Sequence, residues 1–191
     1  MARALVALAA AAAMFTGPNA LGALPGFHLA GLALHQETGR DIYLGGIYLT
    51  EPTPRPIDYQ AISGPRVMEY RVVARRTSMR SLLGGMLLQS EVATGRAPDA
   101  STSGFASHIL ASIDGSLYAG DSFAISLDSD GNTIASLNGH ELARAADSAV
   151  ALYLVEGWIG ERGPSRAFRE SLVADTVDPD LLVLLQDTTF S

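Results

Sequence analysis

Two polar residues in a strand-like segment could bind a metal ion. His35 and Glu37 stand two positions apart, and residues at this spacing lie on the same face of a β-strand. Imidazole and carboxylate are common zinc ligands, and histidine also ligates haem iron. A specific site needs a further ligand from elsewhere in the chain. The pattern therefore leaves open a metal-binding or haem-binding role for His35 and, as the alternative, an ordinary histidine at the edge of a strand.

A group of arginines could bind an anion. Arg71, Arg75, Arg76 and Arg80 lie where a predicted strand ends and a predicted helix begins. Guanidinium groups hold carboxylates or phenolates through paired hydrogen bonds. The alternative is a solvated strand face on which arginines pair with Glu69. Arg71 and Arg80 are the candidate ligand-binding residues of this group.

Two further motifs have simpler explanations. Residues 120–122 read Gly-Asp-Ser, as in the nucleophile block of some esterases, but the last histidine of the chain is His140 and no Asp-x-x-His segment follows it. Asp128, Asp130 and Asn132 have the first ligand spacings of a calcium loop, but a threonine stands at its glycine position and a glycine at its final carboxylate position. Both motifs are typical of turns. All 13 basic residues are arginine, which excludes lysine Schiff-base chemistry and Walker-A phosphate binding.

The elements that must position these residues follow from the hydrophobic periodicity. Alternating or β-branched segments predict strands over residues 27–35, 40–49, 67–76, 123–127 and 133–137. Helical spacing predicts helices beginning at residues 79 and 105, and further helices over 146–158 and 164–174. Runs of strands and runs of helices that are segregated in this way favour an α+β fold, an antiparallel sheet with helices on one face.

Glycines interrupt three of these elements. Gly84 and Gly85 stand in the middle of the first predicted helix, where each costs about 1 kcal/mol relative to alanine, and we expect them to allow close helix packing. Gly31, Gly45 and Gly46 stand within strands, where glycine usually marks a bulge or a close approach of another group.

The two ends of the chain differ from its middle. Met1-Ala2-Arg3, an apolar run to Phe15 and small residues near position 22 are typical of a secretory signal peptide, predicted over residues 1–23. A single domain is then expected over 24–175, followed by an acidic tail over 176–191 that is apolar at Leu181–Leu185.

The formal charge of −7 makes nucleic acid and anionic membranes poor partners. The absence of cysteine excludes disulfides. We expect prokaryotic export to the periplasm or beyond.

Several short segments, in their order along the chain, resemble the chalcone isomerase-like family, in particular its exported bacterial branch. They cover about residues 27–174 and read Gly-Ile-Tyr-Leu at 46–49, Met-Glu-Tyr-Arg at 68–71, Ser-Leu-Tyr-Ala-Gly-Asp at 116–121, Leu-Asn-Gly at 137–139, Trp-Ile-Gly at 158–160 and Phe-Arg-Glu-Ser-Leu at 168–172. The resemblance implies an open-faced β-sandwich, in which a large antiparallel sheet is backed by a layer of helices with a ligand cleft between them.

The resemblance also implies which residues would do chemistry. The catalytic threonine position of the plant enzymes falls on Tyr43, and their early arginine falls near His35. Their helical tyrosine and asparagine have no counterpart between Arg71 and Leu117, and Ser148 lies about one turn from the position of their later hydroxyl residue. Without donors aimed at the developing charge, the transition state for chalcone cyclisation loses its main stabilisation.

We therefore expect a non-catalytic binder of an elongated apolar or anionic, fatty-acid-like molecule, without a cofactor or a metal. The expected ligand-binding residues are His35, Tyr43, Arg71, Arg80 and Met86, with methionine forming an adaptable apolar wall. We expect Gly31, Gly45 and Gly46 to leave room for the ligand along the strands. The first alternative is an intramolecular lyase of the chalcone isomerase type, using His35 with Tyr43. The second is a periplasmic protein that binds a partner through Leu181–Leu185, or that binds haem or a metal through His35.

Overall fold

The computed structural model describes residues 26–52, 64–113 and 115–189. The predicted signal peptide lies outside these residues. Eight strands and five helices follow one another along the described chain. They are β1 (His28–Glu37), β2 (Arg40–Leu49), β3 (Arg66–Val72), β4 (Arg76–Ser78), α1 (Met79–Thr94), α2 (Ala100–Ser112), β5 (Ser116–Tyr118), β6 (Ser122–Leu127), β7 (Thr133–Leu137), β8 (His140–Ala145), α3 (Ser148–Ile159), α4 (Arg166–Val173) and α5 (Pro179–Thr189).

The main sheet has six strands in the order β1-β2-β3-β6-β7-β8, and every neighbouring pair is antiparallel. Two of its hairpins turn through Thr38-Gly39 and Asn138-Gly139, whose residues have positive φ as two-residue hairpins of this hand require. Gly31 stands at a register shift between β1 and β2, which confirms one predicted bulge. The predicted α+β fold, a large antiparallel sheet backed by helices, is confirmed.

The helices begin and end where the sequence supplies caps. Ser78 accepts a hydrogen bond from the Ser81 amide at the start of α1, and Asp99 accepts one from the Thr102 amide at the start of α2. Helices α1 and α3 approach each other closely at Gly157, where an added Cβ would lie only 2.7 Å from the Ser90 hydroxyl. Among the described residues, no helix has the length and apolar character needed to cross a membrane.

The glycine pair in α1 does not serve this packing. A Cβ added at either Gly84 or Gly85 would meet no atom within 4 Å. The predicted close helix contact is therefore wrong at these positions, and it lies instead at Ser90 and Gly157.

Each face of the sheet has its own apolar cluster. Helices α1–α4 contribute to the large core on one face. On the other face, Leu185 of α5 packs against Leu32 and Leu44 and is only 1% exposed. The predicted tail thus forms a helix whose Leu185 is buried in its own chain. Binding of a protein partner through Leu181–Leu185 stays a prediction, and within this segment Val183 is 55% exposed.

Four elements were not predicted from the sequence. Strands β4 and β5 have three residues each, too few to show a period. Strand β8 is an edge strand with exposed polar residues, which hide its alternation. Helix α5 lies within the predicted tail. The predicted strand over 67–76 ends at Val72, because the Val73 and Ala74 amides both donate to the Ile42 carbonyl and break the ladder.

Candidate functional site

A small recess opens between helix α1 and the ends of strands β1 and β2. Its volume is about 40 Å³. Its lining residues come from these three elements and from strand β4, and they are His35, Glu37, Ile42, Tyr43, Thr77, Ser81, Leu82, Gly85, Met86 and Gln89. A buried water needs about 10–15 Å³ measured in this way, so the recess has room for a polar group of a ligand but not for an alkyl chain.

Stacked aromatic rings form the floor beneath this recess. The His35 ring lies over the Tyr43 ring, with centroids 4.7 Å apart and planes inclined by 26°. Tyr43 in turn lies 6.1 Å from Trp158 and 5.0 Å from Tyr70, and Trp158 meets Phe168 edge to face at 5.5 Å. These rings pack against one another deep in the core, so they form a rigid apolar surface.

Three polar atoms at this floor make no hydrogen bond with any described residue. They are the Tyr43 hydroxyl, Oε1 of Gln89 and Nε1 of Trp158. The Gln89 and Trp158 side chains come close enough to Tyr43 to affect its pKa, but without the distance and angle of a hydrogen bond. Tyr43 is 3% exposed and Trp158 is 1% exposed. A buried polar atom without a partner costs about 1–3 kcal/mol, so this concentration of such atoms requires an explanation.

Two titratable groups that line the recess, His35 and Tyr43, are uncharged near neutral pH. Burial lowers the pKa of His35 below its ordinary value, and the Glu37 carboxylate offsets this effect only in part. Burial raises the pKa of Tyr43 far above its ordinary value. Because the two rings stack and no hydrogen bond joins their polar atoms, the pair is arranged for packing rather than for passing a proton between its members.

The predicted open cleft along the sheet is filled. A Cβ at Gly45 would lie 2.7 Å from Cζ of Phe168 and 3.0 Å from Cη2 of Trp158, and a Cβ at Gly46 would lie 2.9 Å from the Tyr48 ring. The glycines therefore provide room for the protein's own aromatic side chains. The expectation that Gly45 and Gly46 leave space for a ligand is wrong.

Arg71 lies on the opposite face of the sheet. Cross-strand neighbours share a face, and Arg71 pairs with Leu44, which packs under α5, whereas Tyr43 pairs with Val72. The Arg71 guanidinium donates to Glu69 at 2.6 Å and to the Gly120 carbonyl at 2.9 Å. The alternative pairing with Glu69 is the one that the structure shows, and Arg71 does not reach the recess.

Glu69 joins this arginine to two hydroxyl groups. It accepts hydrogen bonds from Tyr48 and Ser122, each at 2.6 Å. The carboxylate is 2% exposed but fully coordinated. The oxygens of this carboxylate are therefore satisfied, although Nε of Arg71 makes no hydrogen bond with any described residue.

Arg80 lines a different groove. This groove, of about 170 Å³, lies between the start of α1 and the end of α2 and includes Met79 and Leu110. A larger groove of about 390 Å³ lies at the ends of α1 and α3, where Glu156, Glu161 and Arg162 line it. Among the described residues, no buried polar atom without a partner lines either groove. This distinguishes the smaller recess, whose lining residues include Tyr43 and Gln89, from both grooves.

His35 has one acidic neighbour, Glu37, whose Oε1 lies 3.4 Å from its Nε2. Within residues 26–52, 64–113 and 115–189, no three histidine, cysteine, aspartate or glutamate residues form a group that could hold a metal ion. The third ligand that the metal alternative requires is therefore not among them, and haem binding through His35 stays a prediction.

Of the five predicted ligand-binding residues, the structure brings together His35, Tyr43 and Met86. Sequence reasoning missed Gln89 and Trp158. Gln89 follows Met86 by three residues on α1, so helical spacing could have placed it near the same face. Trp158 could be placed only by the fold, because it approaches Tyr43 from α3.

Comparison with known proteins identifies the architecture. A six-stranded antiparallel sheet backed by helices defines a protein with the chalcone isomerase-like fold. One solved structure with this fold is the fatty-acid binding protein of Arabidopsis thaliana, AtFAP1. The similarity covers 91% of this chain and 95% of the AtFAP1 chain, with a TM-score of 0.58 and 12% sequence identity. Neither a family model nor a curated protein sequence matches this chain.

Proposed function

We propose that this protein binds a small amphipathic molecule at the recess and does no chemistry on it. The observation that carries this proposal is that two polar atoms of the recess lining, the Tyr43 hydroxyl and Oε1 of Gln89, make no hydrogen bond with any described residue, above an aromatic floor in which Nε1 of Trp158 also makes none. An apolar site with a few convergent polar groups is the usual form of a small-molecule site. A ligand with one polar end and one apolar end would satisfy both parts.

The structural neighbour supports an apolar ligand, since it is named as a fatty-acid binding protein and shares the fold. The polar end of the ligand lies in the recess, and its apolar part lies between α1 and the aromatic floor. Because the recess holds only about 40 Å³, the apolar part enters when the side chains of Leu82 and Met86 move outward. Methionine adapts readily to such changes, and the neighbouring glycines lower the cost of moving this turn of α1 by about 1 kcal/mol each.

The site contains its own reporter. Trp158 is the only tryptophan in the chain and is buried in the floor. Titration with decanol or with decanoate, below the concentrations at which either aggregates, should change its fluorescence and show saturable binding of at least one of the two at micromolar concentrations. Native mass spectrometry should show a complex of one ligand per chain. No saturable change with either compound, together with no mass shift, would refute the proposed function.

We also propose that the protein is exported, a proposal that rests on the charged, apolar and small-residue pattern of residues 1–23. The full-length chain expressed in a bacterium should appear in the periplasmic fraction with a new N-terminus near position 23. Replacing Leu5 and Leu8 by arginine should keep it in the cytoplasm, because the apolar run is then interrupted. Recovery of the intact, unprocessed chain from the cytoplasm would contradict export.

A further inference from the structure

The recess offers hydrogen bonds of mixed direction. Of the residues that line the recess, Gln89 presents Oε1, which can only accept, and Tyr43 presents a hydroxyl, which can donate and accept; Trp158 lies beneath them and does not line the recess. A carboxylate can accept but cannot donate, so it would leave Oε1 of Gln89 without a partner. A hydroxyl group or a protonated carboxylic acid can accept from the Tyr43 hydroxyl and donate to the amide oxygen of Gln89.

The charges around the recess also favour a ligand whose polar end is uncharged. Its charged or titratable lining residues are His35 and Glu37 of β1 and Tyr43 of β2; the lining residues from β4 and α1 are uncharged. His35 and Tyr43 are neutral near neutral pH. Glu37 carries negative charge near the mouth and would repel an anion. An unpaired charge is costly to bury, and Arg71 is engaged with Glu69 across the sheet.

From these observations we infer that the site selects a ligand whose polar end is an uncharged hydrogen-bond donor and acceptor, a hydroxyl group or a protonated carboxylic acid, and discriminates against carboxylates. This inference rests on the proposed function. It departs from the expectation of an anionic group held by arginine, because the arginines predicted to bind that group lie elsewhere.

Three ligands with the same alkyl chain test this inference through Trp158 fluorescence. Decanol can donate and accept, decyl methyl ether can only accept, and decanoate carries a charge. At about pH 8.5, decanol should bind at least about 10-fold more tightly than the ether, since one lost hydrogen bond to a buried group costs about 1.4 kcal/mol or more. It should bind about 10,000-fold more tightly than decanoate, because only about one carboxyl group in 10,000 is protonated at this pH when its pKa is near 4.3. Lowering the pH to about 6.5 should strengthen acid binding about 100-fold, because the protonated fraction of a carboxyl with a pKa near 4.3 rises tenfold per pH unit.

A variant separates the Gln89 contact from general affinity. In Gln89→Leu the acceptor is absent, so decanol and its methyl ether should bind with equal affinity. The exposed Leu88→Ala provides a control, and it should retain the full preference for decanol.

The outcomes separate the two proposals. Decanoate that binds as tightly as decanol, with no change between the two pH values, would overturn the head-group inference and leave the proposed function intact. Decanol and ether that bind equally to the unaltered protein would overturn the role of Gln89. If none of the three compounds binds, the proposed function itself fails.

Discussion

Filling the recess from helix α1 should block binding without harming the fold. Gly85 lines the recess, whereas Gly84 is exposed beside it. A Cβ at either position meets no atom within 4 Å. Gly85→Leu and Gly84→Leu therefore form a matched pair in which only the first places a side chain in the recess.

The magnitude follows from helix propensity and from the volume. Leucine is better than glycine in a helix interior by about 0.8 kcal/mol. Both variants should therefore raise the free energy of unfolding by about that amount, which for a chain of this size raises Tm by about 2–3 °C. The leucine side chain at position 85 should also occupy most of the recess of about 40 Å³ and weaken decanol binding at least about 10-fold, a loss of about 1.4 kcal/mol.

Thermal unfolding followed by circular dichroism and titration followed by Trp158 fluorescence measure the two effects separately. The reasoning is refuted if Gly85→Leu is stabilised and still binds decanol as the unaltered protein does, because the ligand would then lie elsewhere. It is also refuted if Gly85→Leu is destabilised while Gly84→Leu is not, because the space beside Gly85 would then be needed by the fold.

Three further predictions concern the aromatic floor and the opposite face of the sheet. Tyr43→Phe removes a buried hydroxyl without a partner and should raise the free energy of unfolding by up to about 1 kcal/mol in urea titrations. Tyr48→Phe removes a hydrogen bond to a carboxylate and should lower the free energy of unfolding by about 1.5–3 kcal/mol. Equal effects of the two variants would contradict the conclusion that only the Tyr48 hydroxyl has a partner. Gly45→Ala should lower the free energy of unfolding by about 1–3 kcal/mol, because its Cβ would overlap aromatic rings, and a neutral result would mean that the rings can shift. Leu185→Ala should lower it by about 2–4 kcal/mol because it leaves a cavity under α5; an unchanged stability would show that α5 does not depend on this contact.

The sheet and most helices could be predicted because their signals are local. Backbone geometry is specified within a few residues by the β-branched and aromatic residues of 40–49, by the turn at Asn138-Gly139 and by the cap at Ser78. Strand β8 could not be predicted in this way, because an edge strand with exposed polar residues has little hydrophobic period to detect.

The site was only partly predictable because it depends on which face each side chain occupies. Arg71 and Tyr43 both lie on strands of the sheet, but the register with β2 places them on opposite faces, and a strand's neighbours cannot be read from its own sequence. The filled cleft has the same origin: the space beside Gly45 is taken by Trp158 and Phe168, which come from α3 and α4 far along the chain.

Two departures from the usual rules of stability coincide at the recess. One is the pair of glycines inside helix α1, Gly84 and Gly85; Gly85 lines the recess, and neither glycine serves helix packing. The other is a group of buried polar atoms that lack partners. Gly85→Leu and Tyr43→Phe would each remove part of these costs, as the predictions above state. On the opposite face of the sheet the Glu69 carboxylate is satisfied by Tyr48, Arg71 and Ser122, although Nε of Arg71 makes no hydrogen bond with any described residue. Because local rules are most often broken where a protein acts, the coincidence of both departures at one place is a physical argument that a ligand completes this site.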